Sequence, residues 1–443
     1  MRVIVLVLNR ARPDFIGAYG AEAVATPNLD QLAAEGVVFD QHFAERPSVA
    51  GSRRAWNTGC LSAPATLRAP MNLAERLWQA KVRSILVGSE QCPSRRLPFG
   101  QGWETSLWLR RNRLAELNQP TMVDGTLQLA IDWLEHQGNQ DNWCMWVEVG
   151  ALRPPWDVNE YADAPAADEL EADDPEVRAT DLVKDAEQMA AARGDPEEDA
   201  IDAEPDFDFR PGLVRDSEKA RDRLRGYQQA YGGIMTYVDD LLGQFATLLK
   251  ELKLYDEVLL LVTGDVGLPL GEHGLVGDSR PWLHEELIHL PLIIRLPGGA
   301  GAGRRVQQLT QPLDLPATLA DFLKFDWNPA CGQGLSWRPI LEGKRGKLRD
   351  YVCARLHKHG QEEWSIRTHH WHLILPIENE ECTRKRQLYI KPDDRWEVNN
   401  LAEQRAETAD HLELVLRRYM ATAWNDPLVA PPPLNEELLQ ISH

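Results

Sequence analysis

Four short stretches of this chain carry side chains able to do chemistry. Pro47-Ser48-Val49-Ala50-Gly51-Ser52-Arg53-Arg54-Ala55-Trp56-Asn57-Thr58-Gly59 follows a strand-like run, Gly36-Val37-Val38-Phe39, and turns through Arg46-Pro47 into a segment able to start a helix. Such a turn presents backbone N–H groups and Arg53 to an anionic ligand. Asn9-Arg10 lies at the C-terminal end of the first apolar run, where open α/β sheets place their ligands. Gly271-Glu272-His273-Gly274 offers acid–base groups, and His369-His370-Trp371-His372 is the densest histidine cluster. On a strand, His370 and His372 point the same way, a spacing compatible with a transition metal, although the segment also reads as an ordinary structural strand.

The elements that must position these residues alternate along the chain. Val3 to Leu8 reads as a buried parallel strand, preferred to a signal segment because only one basic residue precedes it and no small-residue cleavage site follows. Thr26 is expected to cap a helix beginning at Pro27, and Gly36 to end it. Helices are expected over 72–80, 126–136, 223–254, 313–322 and 405–424, and strands at 82–88, 143–149 and 258–262, the last central. Helices alternating with strands predict a parallel sheet covered on both faces. Beyond Lys344 the pattern turns antiparallel, with short strands at 351–356, 364–368, 371–375 and 387–390.

Residues 1–343 therefore read as one large α/β domain, 344–425 as a small C-terminal subdomain, and 426–443 as a loose Pro-rich tail. The formal charge of −20 excludes nucleic acid and anionic membranes as partners. Much of it is local: between Asp163 and Asp208 stand eighteen acidic and three basic residues, the composition of a solvated, flexible insertion. The six cysteines lack C-x-x-C spacing, so no disulfide framework or zinc knuckle is expected. No run approaches the roughly 18 apolar residues of a membrane helix, and a soluble cytoplasmic protein is expected. Of the fifteen tryptophans, Trp103, Trp108, Trp143, Trp146, Trp156 and Trp282 fall near the expected mouth; aromatic rims stack on sugars, but core packing explains most of them.

In order along nearly the whole chain, several stretches resemble the sulfatases of the alkaline phosphatase superfamily. They are Pro13-Asp14-Phe15-Ile16-Gly17-Ala18-Tyr19-Gly20 with Thr26-Pro27-Asn28-Leu29-Asp30, then Tyr237-Val238-Asp239, Leu270-Gly271-Glu272-His273-Gly274-Leu275, Leu290-Pro291-Leu292-Ile293-Ile294-Arg295, Leu313-Asp314-Leu315-Pro316, Leu388-Tyr389 and Asn399-Asn400-Leu401-Ala402. The resemblance implies an α/β sandwich of the alkaline phosphatase type, with a large mixed, mostly parallel sheet and a small antiparallel C-terminal subdomain.

Carried over residue by residue, the same resemblance implies that the chemistry is depleted. Ser52, Arg53, Thr58 and Gly59 match the family's nucleophile motif, but Val49 stands where the formylglycine precursor would stand, and Gly51 replaces its proline. The family's calcium ligands fall on Asn9, Arg10, Asp265 and Val266, an incomplete set, so no metal or other cofactor is expected. The family's Lys and His positions hold Ser89 and Gln91, a substrate-facing His matches Arg153, and the later active-site Lys falls near Asp278 or Arg280. Asn9, Arg10, Val49, Arg53, Ser89, Gln91, Asp265 and Val266 are expected to converge on one cavity at the C-terminal ends of the sheet strands. There Arg10 is expected to pair with Asp265 in place of the metal, and the loop holding His273 to shape the rim. The function expected is a catalytically inactive pseudosulfatase whose anion pocket, around Arg53, Arg153 and Arg10, takes sulfate or a sulfated carbohydrate. The alternative is a divergent sulfuric or phosphoric ester hydrolase using Ser48 or Ser52 as nucleophile.

Overall fold

In the first strand, β1 (Arg2–Leu8), the side chains divide by parity. Ile4, Leu6 and Leu8 enter one apolar cluster and Val3, Val5 and Val7 another, so both faces of the sheet are covered. The computed structural model describes residues 1–61, 71–117, 121–153, 212–213, 218–277, 280–327, 333–344, 346–358, 360–377, 384–426, 429–435 and 438. The acidic stretch 163–208, Trp156 and Asp278 lie outside them.

The strands that follow are β2 (Val37–Phe39), β3 (Arg83–Ser89), β4 (Thr105–Leu109), β5 (Trp143–Val149), β6 (Gly212–Leu213), β7 (Val258–Gly264), β8 (Leu275–Val276), β9 (Leu292–Arg295) and β10 (Arg304–Val306). Seven of them join β1 in one eight-stranded sheet, in the order β10-β2-β9-β7-β1-β5-β3-β4. β1 runs parallel to both β5 and β7, whereas β9 is antiparallel to β2 and β7, which makes the sheet mixed but mostly parallel. As its apolar run requires, β7 is central.

Helices Pro27–Ala34, Met122–Gln137 and Glu218–Glu251 cover one face, and helices Val49–Thr58, Leu73–Gln79 and Asp314–Leu323 the other. Asn72 caps its helix in a reciprocal capping box with Glu75. Two expected helix signals act differently. The Thr26 hydroxyl accepts from the Gly17 N–H (2.8 Å) instead of capping the helix. Gly36 follows a right-handed cap at Glu35 and is needed for close approach, since a Cβ there would lie 2.9 Å from the Ile294 carbonyl oxygen.

The C-terminal part is an antiparallel meander of β11 (Tyr351–Lys358), β12 (Gln361–Thr368), β13 (Trp371–Pro376) and β14 (Gln387–Ile390). Helix Ala406–Ala421 packs on one face. The other, through Val352, Ala354, Leu356, Ile374 and Tyr389, meets Phe43, Val49, Val266 and Leu275 of the large unit. Near the C-terminal end, Leu434 and Leu438 are buried beside Trp364 and Trp424, and the Tyr351 hydroxyl donates to the Pro432 carbonyl (2.7 Å). Among the described residues no helix is long and apolar enough to cross a membrane.

Candidate functional site

Helix Val49–Thr58 starts at Ser48, whose hydroxyl accepts the Gly51 N–H (3.0 Å). Position 51 must be glycine, because a Cβ would come within 2.5 Å of the Arg46 carbonyl oxygen. Val49 and Arg53 are one helical turn apart and share a face. Strand parity brings them a partner: Glu148 follows Cys144 and Trp146 on the face of β5 that looks toward this helix.

Arg53 is 1% exposed and divides its guanidinium between two carboxylates. Nη2 donates to Glu148 Oε2 (2.5 Å), Nη1 to Asp265 Oδ2, and Nε to Ser94 Oγ (3.2 Å). Ser94 in turn donates to Glu148 Oε1, and the Cys92 thiol to Glu148 Oε2 (3.0 Å). Burial alone would lower the Arg53 pKa, but the charges of Glu148 and Asp265 outweigh it and hold the guanidinium protonated. Burial and the Glu148 charge push the Cys92 thiol up, so it is no thiolate nucleophile.

Asp265 is fully buried, and its carboxylate receives four donors: Asn9 Nδ2 (3.1 Å) and Arg53 Nη1 on Oδ2, with the backbone N–H groups of Arg10 (2.7 Å) and Val266 (2.8 Å) on Oδ1. Burial pushes this carboxyl up, yet Arg53 and the Arg10 N–H outweigh burial and hold it below its ordinary value. The Arg10 guanidinium reaches the Gly267 carbonyl (3.3 Å). Thus the direct ion pair to Asp265 comes from Arg53, while Arg10 approaches it through its backbone. Beside this network Val49 and Val266, 2% and 0% exposed, lie in one apolar cluster with Phe43, Leu97 and Leu283.

An open cavity of about 300 Å³ lies further along the loops after β1 and β7, lined among others by Arg12, Asp14, Glu272, His273, Arg395 and Trp396. Its carboxylates are paired: Arg12 meets Asp14 and Glu272, and His273 Nδ1 meets Glu286 (3.0 Å). His273 also faces the Glu397 carbonyl (3.1 Å); burial lowers its pKa, but these two acceptors outweigh it and raise it to about 9. Trp396 is 56% exposed, with the Arg395 guanidinium over its ring, 5.1 Å from the centroid.

A family model described as Sulfatase matches residues 2–325, and one described as N-sulphoglucosamine sulphohydrolase, C-terminal, matches 271–422. The chain belongs to the sulfatase family. It is 23% identical over 428 residues to an N-acetylglucosamine-6-O-sulfatase of Bacteroides thetaiotaomicron, covering 83% of this chain and 76% of the relative. It is likewise 23% identical over 415 residues to an arylsulfatase of Clostridium perfringens, covering 83% of each. Among solved structures, it resembles one held in complex with its substrate D-glucosamine-2-N,6-O-disulfate (TM-score 0.69, 20% identity, 97% of this chain and 99% of that chain). It also resembles a phosphonate monoester hydrolase of Agrobacterium radiobacter (TM-score 0.67, 21% identity, 96% of each). These likenesses carry the α/β sandwich with its mixed sheet and small antiparallel subdomain.

Calcium, the metal that sulfatases use, does not fit this member's residues. An ionised carboxylate offers about four lone-pair sites, and the four donors on Asp265 take them up. Asn9 turns its NH₂ toward Asp265, Val266 has no oxygen to offer, and Arg10 sets a cation alongside, whereas Ca²⁺ takes 6–8 oxygens.

Elsewhere, Ser89 is half-buried at the end of β3 and Gln91 is exposed; Cys92 and Ser94 are the side chains of that turn that reach the centre. Arg153 is half-buried in the turn after β5, its N–H on the Gly150 carbonyl (3.2 Å). Glu148 was missed from sequence. Its signal was an acid inside an otherwise apolar strand, a residue type seldom buried unpaired.

Proposed function

We propose that this sulfatase-family chain has given up ester hydrolysis and serves as a binding or regulatory protein for a sulfated carbohydrate. The observation that carries the loss is Val49, an apolar side chain that shares one buried apolar cluster with Val266, at the positions where the resemblance puts the nucleophile and a metal ligand. Valine has no lone pair to attack with, and the adjoining Asp265 is saturated by Arg53, Asn9 and two backbone N–H groups. Neither serine supports the hydrolase alternative. Ser48 is an N-cap, and the Ser52 hydroxyl, 1% exposed, sits between the backbone carbonyls of Ser48 (3.2 Å) and Asp265, and among the described residues no general base meets it.

The ligand class rests on the names of the relatives and on the cavity. Because Arg53 is committed to Glu148 and Asp265, it supports an anion site as a positioning residue, while Arg10 and Arg153 stand nearer the loops. In the cavity Arg395 supplies an exposed cation, Trp396 a face for a sugar ring, and the paired carboxylates acceptors for hydroxyl groups. The test presents aryl sulfate, phosphate and phosphonate esters to the full chain, with calcium and with EDTA, and titrates D-glucosamine-2-N,6-O-disulfate calorimetrically. Background turnover and EDTA-insensitive binding are expected. Hydrolysis that copurifies with the protein and is abolished by EDTA would overturn the reading.

A further inference from the structure

A turn pinned by buried charges, 394–398, forms part of the wall of the cavity of about 300 Å³. Lys391 Nζ, in a side chain 1% exposed, donates to the carbonyls of Asp394 (3.1 Å) and Arg395 (3.2 Å) and pairs with Glu285 and Glu397. Glu397 takes a φ of 55°, a left-handed conformation uncommon outside glycine, and its carboxylate is buried among His284, His372 and Lys391. Backbone strain of this kind persists only where the surroundings over-determine it. What it holds at the cavity is an exposed cation and two exposed apolar side chains: Arg395, Trp396 and Val398, the last 74% exposed.

Inside the cavity the donors are taken up and two acceptors are not. Arg12 directs its N–H groups at Asp14, Glu272 and the Leu268 carbonyl, and the two nitrogens of His273 face Glu286 Oε1 (3.0 Å) and the Glu397 carbonyl (3.1 Å). The Trp282 N–H also meets Glu286 Oε1 (2.8 Å). Glu286, its side chain 6% exposed, thus receives both contacts on one oxygen, and among the described residues no donor meets Oε2. Glu285 repeats the pattern: Arg367 Nε (3.1 Å) and Lys391 Nζ (3.2 Å) meet Oε1, and no donor among the described residues meets Oε2. Burial pushes both carboxyls up, but the charges of Lys391 and Arg367 on Glu285, and the His273 hydrogen bond on Glu286, outweigh it and hold both below their ordinary values. His289, which also lines the cavity, adds no cation, since burial lowers its pKa and its Nε2–H goes to the Asp40 carbonyl (3.0 Å).

We propose that this cavity takes a primary ammonium group, which donates to Glu286 Oε2 with Glu285 Oε2 as the neighbouring acceptor, so that the ligand is a sulfated amino sugar whose amine is unsubstituted. The sugar and its sulfate rest on the sulfated-carbohydrate reading above, and the amine on the cavity alone. Unshared carboxylate oxygens favour a charged donor over a hydroxyl, because charge-assisted hydrogen bonds are roughly twice as strong as neutral ones. An N-acetyl group would bring no charge to the two carboxylates, and an N-sulfate would set an anion against them. Arg395, outside this acidic floor, is left to meet the sulfate.

Calorimetry on the full chain compares D-glucosamine 6-sulfate, D-glucose 6-sulfate, D-glucosamine-2-N,6-O-disulfate, and unsulfated D-glucosamine and D-glucose. Glucosamine 6-sulfate should bind about ten-fold more tightly than glucose 6-sulfate or the disulfate, the worth of one charge-assisted hydrogen bond. Glu286→Gln should bring the two 6-sulfates to within about two-fold of each other. Glu285→Gln should narrow the gap, and Glu407→Gln, exposed on helix Ala406–Ala421, should leave it unchanged. The ligand series on the parent stands even if a variant fails to fold. Equal binding of the two 6-sulfates, tighter binding of the disulfate, or a preference undiminished in both cavity variants would overturn the proposal and leave the sulfated-carbohydrate reading in place. A preference for glucosamine over glucose that gains nothing from the sulfate would sustain the ammonium site and overturn that reading, and no binding of any of the five sugars would overturn both.

Discussion

The Arg53 guanidinium donates to the Asp265 carboxylate across 212 positions of sequence, in a centre where both side chains are 1% exposed. Removing one partner of a buried pair leaves an uncompensated charge, which costs about 3–5 kcal/mol. Arg53→Met strands both Asp265 and Glu148, so urea unfolding should show a loss at or above that range. Arg53→Lys should recover only part, because an ammonium cannot fork between two carboxylates. A loss under about 0.5 kcal/mol, the range of ordinary surface substitutions, would place Arg53 at an open ligand site instead.

Restoring sulfatase residues one class at a time should not restore turnover. In the combination Asn9→Asp, Arg10→Asp, Val49→Cys, Ser89→Lys and Gln91→His, Arg53 still bonds Glu148, and position 91 remains exposed. Aryl sulfate hydrolysis, assayed after formylglycine conversion, should stay at background. Activity from these five changes would show that Glu148 does not obstruct the centre.

Ser52→Ala tests the alternative nucleophile. Among the described residues the hydroxyl meets only backbone carbonyls, so its loss should cost about 1 kcal/mol, the net worth of an ordinary hydrogen bond, measured by denaturant midpoint. Any slow ester hydrolysis in the preparation should be unchanged, and a drop in parallel with Ser52 removal would argue for the enzyme class.

Glu45 gives the chain a pH slope. Burial, reinforced by the charge of Asp314, raises its carboxyl from 4.5 to about 8, and no bonding partner meets either of its oxygens. Between those values the folded chain holds a proton that the unfolded chain has released, so stability falls as pH rises from about 4.5 to about 8. Glu45→Gln keeps the neutral state and should flatten this slope in urea unfolding at pH 5, 6.5 and 8. An unchanged slope would assign it to other groups.

Asp265 acts with the opposite sign. Its folded pKa is depressed, so its contribution is present above the ordinary value of 3.8 and is lost as pH falls through the lower folded value. Acid unfolding monitored by tryptophan fluorescence should move to higher pH in Asp265→Asn, which removes the group that Arg53 faces.

The sequence by itself determined the layered α/β plan, because strand and helix periodicities are local: 143–149 reads as a buried strand and is one, end to end. Residue type alone also puts an apolar side chain at Val49, an amide at Asn9 and a guanidinium at Arg10. Tertiary structure decided what fills the centre. Glu148, Arg53 and Asp265 lie 95 and 212 positions apart, and only the order β7-β1-β5 with the parity of β5 brings their charges together. The same holds at Glu397, which gathers His284 and His372 from a loop of the large unit and a strand of the small one. Coulomb attraction and hydrogen bonding act through distance in space, and spacing along the chain carries no record of that distance until the sheet order is set.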